Sequence, residues 1–358
     1  MAVEVWFAIV VAVAFSTVIP LVLIAERVGT RFGIVDRPRR GEVQQFVLPR
    51  TGGYAVVFAF WAAILVSFAL PPAQEVRLQA DNVRLLGVLL GSLALLPLAM
   101  VDDARRLGPI PQILGQSLAA IIPVCFGLRM DEVATPFGVL TVPDPLAGPL
   151  AAFWVVAMIN AINLLDTMDG LASGVAAIAS GVLFLRSAWF GQASIAVLPA
   201  ALCGACLGFL TRNWHPSRII LGSSGALFIG YALGVVTVIG GVKIGTAFLV
   251  LAIPILDVAW VAYRRVAKGR SPVRGGDDEH LPHRLRLLGL GDRSIVLGVY
   301  GVCAVIGAAV LLTHSVLPTM EKAYLVAVVI TTVISALAIV ARVTSGSARP
   351  LESGKTDP

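Results

Sequence analysis

The stretch Asn160–Ala161–Ile162–Asn163–Leu164–Leu165–Asp166–Thr167–Met168–Asp169–Gly170–Leu171 decides how the chain reads. Four polar side chains, Asn160, Asn163, Asp166 and Asp169, recur at every third position. The runs on either side, from Leu150 and on to Leu185, are almost wholly apolar. If Asn160 to Asp166 is helical, three-residue steps keep these side chains on one slowly rotating face. Amides and carboxylates at the end of a membrane helix are expensive unless they face a polar cavity, a metal or a ligand. A polar helix end with caps is the plain alternative, but capping uses one or two such groups rather than four in register. Asp169-Gly170 then reads as the turn where the chain comes back.

The rest of the chain agrees with a membrane setting. Of 358 residues, 58% are hydrophobic and 13% charged, with a mean hydropathy of +0.89. That composition excludes a soluble domain and describes an all-α integral membrane protein. Eleven candidate spans run roughly over 4–25, 53–71, 84–101, 110–128, 149–165, 170–189, 194–210, 226–241, 245–263, 294–313 and 322–341. They form one polytopic bundle over residues 1–343, and the Ser-, Gly- and charge-rich segment 344–358 reads as a disordered tail. Pro20, Pro97, Pro123, Pro199 and Pro254 lie inside spans, so kinked or broken helices are expected. The N-terminus has no basic n-region and reads as a first transmembrane helix, not a signal peptide. Residues 129–148 suit a small hairpin between spans. Cys125, Cys203, Cys206 and Cys303 all sit in apolar runs, where packing is the expected role.

Charge placement orients the bundle. The connections on one side, with the C-terminal tail, hold 21 of the 27 Lys and Arg. The positive-inside rule makes that side cytoplasmic, with the N-terminus outside and the C-terminus inside. The net charge of +6 is therefore topological and does not call for nucleic acid. Asp102, Asp103, Asp166, Asp169, the Ser223 connection and the His280–His283 loop all fall on that same side. Such convergence is what an active site at a membrane surface requires.

Each polar group has more than one reading. Asp102-Asp103 can hold Mg²⁺ through oxygen ligands or handle a phosphate proton, or it can be a solvated helix end paired with Arg105 and Arg106. Acids oppose the dipole at a helix C-terminus, so capping does not explain them. Arg50–Thr51–Gly52–Gly53 lets backbone approach either a ligand or a neighbouring helix. Arg212–Asn213–Trp214–His215–Pro216 followed by Leu221–Gly222–Ser223–Ser224–Gly225 is a short cytoplasmic connection whose small residues, leading into a helix N-terminus, suit an anion or ligand, or it is an ordinary turn. Asp257 is a functional acid inside a span or half of a buried ion pair. His280, His283 and Arg284 suit a diphosphate; a zinc site is disfavoured because no Cys completes the set.

The order of these motifs resembles the bacterial polyprenyl-phosphate N-acetylhexosamine-1-phosphate transferases, the MraY/WecA-like superfamily, over about residues 5 to 341. Pro49–Arg50–Thr51–Gly52–Gly53, Val101–Asp102–Asp103, the Asn160–Leu171 stretch, Ile253–Pro254–Ile255–Leu256–Asp257 and the His loop carry the likeness. The resemblance implies a multi-pass plasma-membrane enzyme with a cytoplasmic site. Using Mg²⁺, or Mn²⁺ in its place, it would move a sugar-1-phosphate from a UDP-sugar to polyprenyl phosphate and release UMP, in cell-wall or envelope polymer assembly. A UDP-HexNAc such as UDP-GlcNAc is the expected donor, because the His loop resembles the WecA-like branch, and a homodimer is compatible with the likeness. The implied catalytic residues are Asp102, Asp103, Asp166 and Asp169, with Asp103 and Asp166 on the metal. The implied substrate contacts are Gly52, Gly53, Asn160, Asn163, His280, His283 and Arg284. Two positions depart from the pattern: Ser223 stands where the family has a metal-binding Asp, and Pro282 where it has a His. A relative that binds lipid or nucleotide without turnover, or a secondary transporter, are the other readings.

Overall fold

The structure is a computed structural model that describes residues 2–37, 47–71, 79–135, 138–239, 245–246, 250–267, 269, 280–316 and 331. The described helices are α1 (Val3–Phe32), α2 (Gly52–Ala69), α3 (Gln79–Arg105), α4 (Pro109–Cys125), α5 (Asp144–Leu165), α6 (Leu171–Trp189), α7 (Ala193–Asn213), α8 (Gly222–Ile239), α9 (Ala252–Ala267), α10 (Leu281–Leu287) and α11 (Asp292–Val316). Eight of them are long and apolar enough to cross a membrane: α1, α2, α3, α5, α6, α7, α8 and α11. Helices α4 and α9 are shorter, at 17 and 16 residues. Ten of the eleven spans read from the sequence coincide with described helices. The one over 322–341, like the 344–358 tail, lies outside the described residues apart from position 331.

Three of the prolines do not break their helices, whereas Pro123 lies in the last turn of α4 and Pro254 in the first turn of α9. Helices α1, α3 and α7 run through Pro20, Pro97 and Pro199. Proline removes one ladder bond, and a packed bundle tolerates the loss. Two short antiparallel pairs complete the fold. One joins β1 (Val35–Asp36) to β2 (Leu48–Pro49), which the sequence did not announce. The other joins β3 (Glu132–Thr135) to β4 (Gly138–Thr141), inside the hairpin region read from the sequence.

Helix α8 is the axis of the bundle. Every residue from Gly222 to Val238 is buried. Helix α5 packs on it through Gly230, where an added Cβ would lie 2.5 Å from the Ile159 Cα. Phe60 of α2 meets Phe228 of α8 edge to face, with centroids 5.3 Å apart. In lipid, apolar contact alone does not hold helices together, so interhelical hydrogen bonds matter. Tyr231 Oη donates to the Val88 carbonyl at 2.9 Å, and Trp154 Nε1 to Thr237 Oγ1 at 2.8 Å. Because α8 is enclosed along its length, its first N–H groups need protein acceptors instead of water.

Candidate active site

The site begins with two chain segments laid side by side. Ile220 N donates to the Pro49 carbonyl at 3.0 Å, Gly52 N to Ile220 O at 3.2 Å, and Gly53 N to Leu221 O at 2.8 Å. Only glycine permits this approach. A Cβ on Gly53 would stand 1.9 Å from Gly225 N, and one on Gly52 would stand 2.6 Å from Ile220 O. Gly222 takes a left-handed φ of 70°, and its Cβ would meet the Arg50 carbonyl at 2.2 Å. Thr51 Oγ1 ties the segment to α1 by donating to the Ala25 carbonyl at 2.7 Å. Of the two readings of the glycine pair, the structure displays the approach to a neighbouring backbone.

This platform receives the acid pair. Asp103, at the end of α3, caps the N-terminus of α8. Its Oδ1 accepts from Ser223 N at 2.7 Å and its Oδ2 from Ser224 N at 3.1 Å. Arg50 Nε lies 3.7 Å from the same carboxylate, whose side chain is 1% exposed. Asp102 turns the other way. Its Oδ1 accepts from Leu107 N at 2.7 Å and from Gln112 Nε2 at 2.9 Å, and its Oδ2 accepts from Ser223 Oγ. Ser223 thus bridges the acid pair, its hydroxyl on Asp102 and its amide on Asp103.

The central stretch arrives from α5. Asp166 follows the last helical residue, and Gly170 (φ 76°) makes the turn into α6. Asp166 has no hydrogen-bond donor among the described residues. Burial pushes its carboxyl up to about 7; Arg50 opposes that shift, and the charges of Asp169 and Asp103 add to it. These four groups therefore share one locale. The four-residue register does not stay on one face, however. Asn160 turns to α4, where its Nδ2 donates to Gln116 Oε1 at 2.6 Å and to the Val156 carbonyl at 2.8 Å. Asn163 is half-buried. Asp169 turns to the connection after α7: His215 Nδ1 is 2.9 Å from its Oδ2, Ser217 N donates to Oδ2 at 3.1 Å, and Ser217 Oγ to Oδ1 at 2.7 Å. Asn213 braces the same turn by accepting from Gly170 N at 3.1 Å and donating to the Ile219 carbonyl at 3.0 Å.

The His loop docks on α9. Asp257 Oδ2 is 2.8 Å from His280 Nδ1, and its Oδ1 accepts from Leu281 N at 2.9 Å. His280 and Arg284 are buried. Arg286 binds Asp292 with both Nε and Nη2, at 2.6 and 2.7 Å. His215 and His283 both lie within electrostatic reach of Asp292, which joins this loop to the Asp169 connection. Asp277, Asp278 and Glu279, read with this loop in the sequence, lie outside the described residues.

Several of these residues escaped the sequence reading. Gln112, Gln116 and Ser217 carried no distinctive motif, whereas Arg50 was read within Arg50–Gly53, and Asn213 and His215 within the Arg212–Pro216 connection, without a role for any of these three side chains. Of the first three, only Gln112 and Gln116 left a trace, as two amides one helical turn apart in an apolar run. Among the described residues, no three His, Cys, Asp or Glu side chains are grouped closely enough to hold a metal unaided.

The description "Glycosyl transferase family 4" matches residues 85–241, the segment that carries the acid pair, the central stretch and Ser223. A probable undecaprenyl-phosphate N-acetylglucosaminyl 1-phosphate transferase of Bacillus subtilis is 33% identical over 297 residues, covering 80% of this chain and 79% of the relative. The chain belongs to glycosyl transferase family 4. A decaprenyl-phosphate N-acetylglucosaminephosphotransferase of Mycolicibacterium smegmatis is 30% identical, over 75% of this chain and 73% of the relative. A phospho-N-acetylmuramoyl-pentapeptide-transferase of Desulforudis audaxviator is 31% identical, over 76% and 87%. This family 4 member is a multi-pass membrane enzyme and a glycosyl-1-phosphate transferase. Its geometry suits phosphate chemistry: carboxylates with one guanidinium among them, and a His- and Arg-bearing loop whose His283 lies within electrostatic reach of Asp292, as does His215 beside Asp169.

Proposed function

We propose that the protein transfers a sugar-1-phosphate, GlcNAc-1-phosphate or a related HexNAc, from a UDP-sugar to polyprenyl phosphate, releasing UMP. The site would face the cytoplasm at the plasma membrane, and the product would enter cell-wall or envelope polymer assembly. One observation carries this reading. Asp103, Asp166, Asp169 and Arg50, from three distant parts of the chain, meet at one end of an apolar bundle. The names of the relatives support the acceptor class, and the Lys and Arg distribution supports the cytoplasmic face.

In this reading a phosphate oxygen of the lipid attacks the β-phosphorus of the donor, the bond from that phosphorus to the bridging oxygen breaks, and UMP leaves with that oxygen. Arg50 offsets negative charge beside the carboxylates. His280, held by Asp257, together with His283 and Arg284, would contact the diphosphate. Asn163, half-buried one turn before Asp166, would contact the nucleotide; the Asn160 amide is already bound to Gln116 and would act from behind it.

The donor set fits Mg²⁺ in part. Asp166 is a hard oxygen ligand without a hydrogen-bond donor among the described residues; burial is the main cause of its raised titration, with Asp169 and Asp103 adding to it, and a divalent cation would offset the cost of its charged form. Both oxygens of Asp103 already accept backbone N–H groups, so it would contribute only through its remaining lone pairs. Bound there, the ion would supply charge stabilisation on the diphosphate, with water and phosphate oxygens completing its shell. The test is radiolabelled UMP exchange by the purified full chain, with UDP-GlcNAc, polyprenyl phosphate and Mg²⁺. Exchange with formation of a lipid-linked sugar is expected. Its absence with every UDP-HexNAc and divalent cation would overturn the reading.

A further inference from the structure

Asp169 is fully engaged where it stands. Its two oxygens hold the His215 ring, the Ser217 amide and the Ser217 hydroxyl at 2.7 to 3.1 Å. A carboxylate bound on both oxygens orients its partners and has little capacity left for an incoming group. The partner it orients is an imidazole. His215 Nδ1 faces the carboxylate, so Nε2 is the ring nitrogen left for something else. Among the described residues Nε2 has no partner, and 33% of the side chain is exposed.

The ring is also held in place. On its N-terminal side, Trp214 packs against Tyr300 of α11, with ring centroids 6.2 Å apart, and Asn213 bonds the turn at Gly170. Its own carbonyl accepts from Arg293 Nε at 3.1 Å. Four elements converge here: the turn after α5, the connection after α7, the start of α11 and, through Asp292, the His loop. A ring nitrogen presented from so braced a position is preorganised for a ligand. The neighbourhood joins the carboxylate locale to a segment bearing His283 and Arg293, with Arg286 paired to Asp292 behind them, and such a cationic edge suits an anion with two phosphate groups.

We propose that His215 is a substrate-contacting residue that binds the donor's diphosphate through Nε2, and that Asp169 is its positioning residue. The inference rests on the nucleotide-sugar reading above and adds a residue to it. An imidazole between a carboxylate and a phosphate donates from both nitrogens, so losing either partner loosens the same contact.

The experiment measures binding of UDP and of uridine to the full chain in detergent. His215→Asn is expected to weaken UDP about tenfold, the size of one charge-assisted hydrogen bond, and to leave uridine within about twofold. His215→Gln, whose amide reaches further towards the Nε2 position, should recover part of the loss. Asp169→Asn should weaken UDP to a similar extent, and the double variant should lose no more than either single one. Three results would overturn the proposal: unchanged UDP binding in His215→Asn, parallel loss of uridine, or additive losses in the double variant. If the parent protein itself failed to bind UDP, the nucleotide-sugar reading would fall and this inference with it. Retained UDP binding by both the parent and His215→Asn would sink the inference alone.

Discussion

Replacing Asp103 with asparagine is expected to destabilise the protein, whereas the same change at Asp102 should barely do so. The two residues are adjacent, but their surroundings differ. Asp103 offers one oxygen to each of two buried N–H groups at the start of α8. Asparagine keeps one acceptor and turns an amide donor towards the other N–H. An unmet buried donor costs about 1–3 kcal/mol. Loss of negative charge at a helix N-terminus adds roughly 0.3–1 kcal/mol. The expected cost is therefore about 1.3–4 kcal/mol, before any loss of the Arg50 counter-charge. Asp102 accepts two hydrogen bonds on Oδ1, which asparagine retains, and one on Oδ2 from the Ser223 hydroxyl. That hydroxyl can rotate and accept from the new amide instead, so the cost should stay below about 1 kcal/mol. Thermal unfolding in detergent reads the difference. Asp103→Asn should lower the midpoint by several degrees, and Asp103→Ala by more, because both N–H groups are then left unmet. Equal midpoints for Asp102→Asn and Asp103→Asn would refute the capping assignment, and so would a neutral Asp103→Ala.

The remaining predictions concern charge and packing. Asp166→Asn should abolish UMP exchange yet raise the unfolding midpoint at pH 8 in metal-free buffer. The folded carboxyl titrates near 7, above its ordinary value of 3.8, so its charged form costs stability that grows as pH rises between those values. The gain over the parent should accordingly shrink below pH 4, and a gain independent of pH would count against the account. Ser223→Asp places a third carboxylate beside Asp102 and Asp103. At about 4 Å and an effective dielectric of ~20 each repulsion is of order 4 kcal/mol, so the variant should melt earlier in EDTA and recover with Mg²⁺. An unchanged melt in EDTA would contradict this. Gly53→Ala should cost about 1–3 kcal/mol and reduce exchange, since its Cβ meets the Gly225 backbone at 1.9 Å; a normal melting curve would show that the two segments are not so close.

The contrast between neighbours such as Asp102 and Asp103 shows where sequence reading stops. Apolar run length marks a spanning helix, because the bilayer imposes its thickness on local chain geometry, and eight of the runs read that way are described helices long and apolar enough to cross a membrane. The turn at Asp169-Gly170 was legible for the same local reason, since only glycine takes a φ of 76° easily. Of the two outcomes read for the prolines, kink or break, the break does not occur at Pro20, Pro97 and Pro199, because a packed bundle supplies what an isolated helix would lose. The three-residue spacing of Asn160, Asn163, Asp166 and Asp169 suggested one face. The helix carries Asn160 and Asn163 and is capped at Asp166, while Asp169 follows the turn, as the Asp169-Gly170 reading had it.

The sequence by itself determined that this chain is a membrane bundle with acids and histidines at the helix ends, because burial in lipid and the cost of charge act residue by residue. Tertiary structure decided what each polar group does there. Asp103 caps a helix whose first residues lie 120 positions away, Asp169 holds His215, and Asp257 holds His280. A hydrogen bond needs its partner within about 3 Å, and only the packing of distant helices determines which partner that is.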